Sequence, residues 1–107
     1  MNKTMTRILQ ILREFKIELI KILEDNIVDV ILFGSFAKGD YTEESDIDVL
    51  IIVKRKLTIA EEDKISKICT EFLLRYGVLI SAITYPENIL RLKTSFIKIV
   101  EEEGIKI

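Results

Sequence analysis

Met5, Ile8, Leu12, Phe15, Leu19 and Ile22 recur at steps of three and four, with Arg7, Arg13, Glu14, Lys16, Glu18 and Lys21 between them. That spacing predicts an amphipathic helix. It is expected to end near Glu24-Asp25-Asn26, with Asn26 left-handed ahead of the next element. Ile11, Ile17 and Ile20 widen its apolar surface beyond one stripe. The period then changes: Val28 to Phe33 is a short β-branched and aromatic run that stops at Gly34-Ser35, so it reads as a strand feeding a tight turn. A second run, Asp46 to Val53, continues after its acids as Val49-Leu50-Ile51-Ile52-Val53 with no polar relief, the pattern of a central, buried strand.

Thr58-Ile59-Ala60-Glu61 fits a capping box, and Ile65, Ile68, Cys69, Phe72 and Leu73 follow at helical spacing up to Gly77. A helix from about Ile59 to Tyr76 is therefore expected. It links the central strand to a third, Val78 to Tyr85, by a crossover that keeps both strands in one sheet with the helix on one face. Pro86-Glu87-Asn88 reads as a turn opening a further helical piece. Thr94-Ser95 caps a last helix that Gly104 stops, and Ile105-Lys106-Ile107 alternates like a short edge strand. Together these elements predict one α/β domain spanning residues 1 to 107, with a mixed sheet of about four strands and helices packed on one face.

Chemistry concentrates between the first two strands. Side chains alternate along a strand, so Asp46 and Asp48 share a face, about 6.5 to 7 Å apart along the backbone. Like charges so placed repel and raise each other's pKa unless a cation lies between them. A hard divalent ion such as Mg²⁺ takes oxygen ligands and keeps waters that substrate phosphates can replace, so the pair suits it. Lys38 is the one cation in the connection, able to contact a phosphate or to pair with Asp40. Glu43 and Glu44 read as solvated, and Ser45 as the residue steadying the turn before Asp46.

Gly34-Ser35 and Asp46-Ile47-Asp48 are separated by ten residues, a G-S-x10-D-x-D arrangement. With Phe36-Ala37-Lys38-Gly39-Asp40 and Glu44-Ser45-Asp46-Ile47-Asp48, it resembles the signature of the polymerase-beta-like nucleotidyltransferase superfamily, in particular its minimal nucleotidyltransferase (MNT) branch. The resemblance implies that fold, a short helix after Gly34-Ser35, a nucleoside triphosphate such as ATP held by Gly34 and Ser35, and a metal ion held by Asp46 and Asp48. It also implies transfer of a nucleoside monophosphate to a hydroxyl and pairing with a helical HEPN-type protein in a toxin-antitoxin module. The superfamily usually carries a third carboxylate on the strand after the crossover. Between Glu71 and Glu87 this chain has no Asp or Glu, and Ser81 or a neighbour takes that place. A nucleotide-binding antitoxin subunit with impaired turnover is accordingly the alternative reading.

Composition narrows the partners. The 16 basic and 18 acidic side chains leave a net charge of −2, so no cationic field favours a long nucleic acid. Without histidine, any general base must be a carboxylate or water. The single cysteine, Cys69, rules out an internal disulfide and fits a reduced setting. No uncharged apolar run is long enough for a membrane span, so a cytoplasmic protein is expected. Leu50 and Ile52 share the side of Asp46 and Asp48 yet are apolar, and so short a chain has little left to cover them. A second subunit is therefore expected there, either an identical copy or the helical partner.

Overall fold

A computed structural model describes residues 2–107. Helix α1 (Lys3–Leu23) starts where the Asn2 side chain accepts the Met5 amide at 2.8 Å. It leads through a 3₁₀ turn, Glu24–Asn26, into β1 (Ile27–Phe33). A single helical turn, α2 (Ser35–Lys38), and a polar loop precede β2 (Ile47–Val53). Then come α3 (Ile59–Tyr76), β3 (Ile80–Pro86), a 3₁₀ segment at Glu87–Leu92, α4 (Ser95–Glu103) and the two-residue β4 (Ile105–Lys106).

The sheet order is β3-β2-β1-β4, with β2 and β3 parallel and the other pairs antiparallel. It is the expected four-stranded mixed sheet. The β2-α3-β3 crossover is present, and α3 has the bounds its caps dictate. Thr58 and Glu61 exchange backbone and side-chain bonds at its start. Gly77 closes it at φ 69°, a conformation in which any Cβ is strained.

Strand alternation divides the core in two. Val30, Leu32, Val49, Ile51 and Val53 point to the face covered by α1 and α3, where Phe15 and Phe72 meet edge to face at 5.6 Å. Leu50 and Ile52 point the other way, and here the structure corrects the sequence reading. That face is not open: both side chains are buried with Val100 of α4, and Ile31, Phe33, Tyr85, Leu90 and Phe96 pack around them. Phe96 sits edge-on to both Phe33 and Tyr85. The chain covers its own second face with α4, a smaller layer opposite α1 and α3, so those two residues supply no reason for a second subunit.

The end of α1 also differs from expectation. Glu24, not Asn26, takes the positive φ, at 52°. Asn26 is buried, and its amide accepts the Arg55 N–H at 2.9 Å and donates to the Arg55 carbonyl at 3.2 Å. A buried amide must be satisfied, and here that need ties the start of β1 to the end of β2.

Candidate active site

The site is built where β1 ends and β2 and β3 begin. Gly34 leaves β1 at φ 74°, ψ −153°, a region essentially closed to residues with a Cβ. The chain turns at once into α2, whose Lys38 amide donates to Gly34 O at 3.1 Å and whose cap, Gly39, donates to Ser35 O at 2.9 Å. Phe36 is buried and stacks on Tyr41 at 4.5 Å. Tyr41 in turn bonds Asn2 through its hydroxyl, so α2 and the following loop are pinned to the start of α1. The short helix expected after Gly34-Ser35 is present.

On the neighbouring strand, Asp48 pairs with Phe33 of β1 on one side and with Ser81 of β3 on the other. Its carboxylate lies against Gly34 so closely that a Cβ on the glycine would overlap Asp48 Oδ2. Burial first, and then the charge of Asp46, push the Asp48 carboxyl above its ordinary value. Asp46 itself is exposed and lies one residue ahead of β2, at the end of the loop. Ser45 does steady that loop: its Oγ accepts the Thr42 amide at 2.8 Å, and its own amide donates to Thr42 O at 3.1 Å. Glu43 and Glu44 are exposed, as expected.

The turn and the Asp46–Asp48 pair are thus brought together. Two carboxylates in electrostatic contact, one partly desolvated, form a donor set that a hard divalent cation relieves. Lys38 is less simply placed. It does not pair with Asp40; its Nζ stands 4.0 Å from Glu103 at the end of α4. Glu103 is the last of three consecutive acids at that helix end, and no local pattern in the sequence points to its contact with Lys38. A cavity of about 410 Å³ adjoins Asp46 on the α1 side of the loop, bounded by Arg7, Ile8, Tyr41, Asp46 and Val78.

A family model described as a nucleotidyltransferase domain matches residues 12–107. The chain belongs to that family. One relative, "Putative protein adenylyltransferase MJ0141" of Methanocaldococcus jannaschii, is 50% identical over 100 residues, covering 94% of this chain and 98% of its own length. The crystal structure of a "putative nucleotidyltransferase from Sulfolobus solfataricus" superposes with a TM-score of 0.60 at 23% identity, over 97% of this chain and 82% of that one. The crystal structure of a toxin-antitoxin with AMP-PNP superposes with a TM-score of 0.59 at 17% identity, over 87% and 69% of the two chains. These two neighbours share the fold.

In this nucleotidyltransferase domain the row across the sheet is Phe33, Asp48, Ser81. The position beside Asp48 on β3 is therefore filled by Ser81, as the sequence suggested. Among the described residues no group of three or more His, Cys, Asp or Glu side chains stands together as a metal cage.

Proposed function

We propose that this nucleotidyltransferase moves the nucleoside monophosphate of an NTP, ATP in the first instance, to a hydroxyl on a protein partner. The observation that carries the reading is the seat of the Asp48 carboxylate against Gly34, with Asp46 beside it. Asp46 and Asp48 would hold Mg²⁺ between them, and Gly34 and Ser35 would bind the triphosphate. Gly34 brings bare backbone close to phosphate oxygens, Ser35 adds a hydroxyl donor, and the amides at the turn face developing negative charge. Lys38 would leave its loose pairing with Glu103 for a phosphate.

The bound metal would supply charge stabilisation on the phosphate oxygens during in-line displacement. The acceptor oxygen forms the new bond to the α-phosphorus, the bond to the bridging oxygen breaks, and pyrophosphate leaves. With Ser81 where an acid could have stood, the acceptor's proton passes to water.

A protein acceptor is supported by the name of the M. jannaschii relative. An ATP-type nucleotide and a protein partner are supported by the toxin-antitoxin neighbour with AMP-PNP; a HEPN-type helical protein or an identical copy would fill the partner's role. A cytoplasmic setting is supported by the single cysteine, Cys69, which leaves no internal disulfide to form. Among the described residues no helix is long and apolar enough to cross a membrane. Ser81 favours a second reading, a nucleotide-binding antitoxin subunit that occupies its partner without turnover. Incubation with α-labelled ATP, Mg²⁺ and candidate partner protein separates the two: label on the partner supports transfer, and Mg-dependent binding without label supports the second.

A further inference from the structure

We infer that β3 is the pairing edge for a second copy of this chain, joined antiparallel about Ile83. The two edges of the sheet are managed differently. At one, β4 is only two residues long, and Lys106 stands 3.7 Å from Asp29, a short, charged edge of the kind that resists pairing. At the other, β3 runs seven residues, is last in the strand order, and carries no charge from Leu79 to Pro86. Its outer backbone groups are determinate. The Ile47 amide donates to Leu79 O at 2.8 Å, and Ile47 pairs with Ile80, so in this parallel ladder Leu79, Ser81, Ile83 and Tyr85 turn their amides and carbonyls toward β2. Those of Ile80, Ala82 and Thr84 face outward, and no described strand lies beyond them.

A two-fold axis at Ile83, the midpoint of Ile80–Pro86, uses the whole strand. Ala82 then exchanges both backbone bonds with Thr84 of the second copy, and the reverse, while Pro86, which has no N–H to give, meets only the end residue Ile80. Ile83, 39% exposed alone, lies directly opposite its own copy in a close, non-hydrogen-bonded pair that removes both side chains from water. Because the edge is uncharged, self-pairing sets no like charges together. A second copy meets this edge in full: Ala82 and Thr84 answer each other's donors and acceptors, Pro86 falls at the end of the pairing, and each residue lies against a neutral one. The same register sets the second copy's Tyr85 beside Ser81, on the face that carries Asp48 one strand away. This last consequence rests on the nucleotidyl-transfer reading for its meaning, but the pairing itself does not.

The test reads mass and register, neither of which depends on transfer. Light scattering at tens of micromolar should give twice the 12.4 kDa of one chain, and Ile83→Lys, an exposed substitution, should return a folded monomer. Under mild oxidant, Ile83→Cys should crosslink to itself, because opposed Cβ atoms in such a pair lie within disulfide reach. Ser81→Cys alone should not, being offset from its own copy by four residues, or roughly 13 Å; mixed Ser81→Cys and Tyr85→Cys chains should join. A monomeric wild type, a dimer that survives Ile83→Lys, or crosslinking of Ser81→Cys in preference to Ile83→Cys would overturn the proposal.

Discussion

Gly34 and the Asp48 carboxylate occupy adjoining space so tightly that the glycine's missing Cβ is a condition of the aspartate's position. The turn that ends β1 and the acid near the start of β2 are one feature, held in register by the Phe33–Asp48 pair. Gly34→Ala meets two obstacles, the overlap with Asp48 Oδ2 and a φ of 74°. It should cost about 1 to 3 kcal/mol of stability, read as a lower denaturant midpoint. It should also remove Mg-dependent nucleotide binding measured by calorimetry.

Ser81 faces Asp48 across the parallel β2–β3 pair. If the missing third acid limits turnover, Ser81→Asp should raise the rate of label transfer by on the order of a hundredfold or more, within the range a positioned general base contributes. The same variant should melt lower without metal, because it adds a like charge opposite Asp48. Single-turnover kinetics and paired melts with and without Mg²⁺ check both outcomes.

Asp48 also fixes a pH dependence. Its folded-state pKa lies above the ordinary value of 3.8, through burial and then the Asp46 charge. Between that value and the raised one, the native state keeps a proton that the unfolded chain has released, so stability falls as pH rises through the window. At neutral pH the full penalty is present. Asp48→Asn should therefore melt higher than the wild type in EDTA at neutral pH, and the gap should close as the pH drops below 3.8. Thermal melts across that range test the sign.

Leu50 is fully buried beneath α4. Leu50→Ala should destabilise the isolated chain by about 2 to 5 kcal/mol, the range for an aliphatic core truncation. Were that face instead covered by a partner, the change would weaken association and leave the isolated chain's denaturation curve in place.

Thr58→Ala, at the far end of the sheet from the site, removes the side-chain acceptor for the Glu61 amide. It should cost about 1 kcal/mol and leave nucleotide binding unchanged. Urea denaturation and calorimetry on one preparation read both.

Local signals carried much of this fold in the sequence. Thr58, Glu61 and Gly77 delimit α3 because capping is short-range chemistry, and Ser81 could be set near Asp48 because a crossover of that length brings β3 beside β2. Alternation put Leu50 and Ile52 on the side of Asp48. It could not reveal that Val100 and Phe96 return to cover them, since that depends on how far the 3₁₀ segment Glu87–Leu92 carries the chain. Asn26 departs from its expected left-handed conformation for a related reason: its partner is the Arg55 backbone, distant in sequence, and a turn-forming residue looks the same whether it is left-handed or bridging. The approach of Lys38 to Glu103 is likewise a product of β4 folding back on β1. The site motif was legible because its spacing is itself local, one loop between two paired strands.

The most direct measurement is transfer of α-labelled AMP from ATP to purified partner protein in Mg²⁺, comparing the wild type with the Asp46→Asn, Asp48→Asn double variant. Label should appear on the partner with the wild type and not above background with the double variant, whose circular dichroism stays native. Labelling by the double variant at the wild-type rate would overturn the assignment of transfer to these two aspartates.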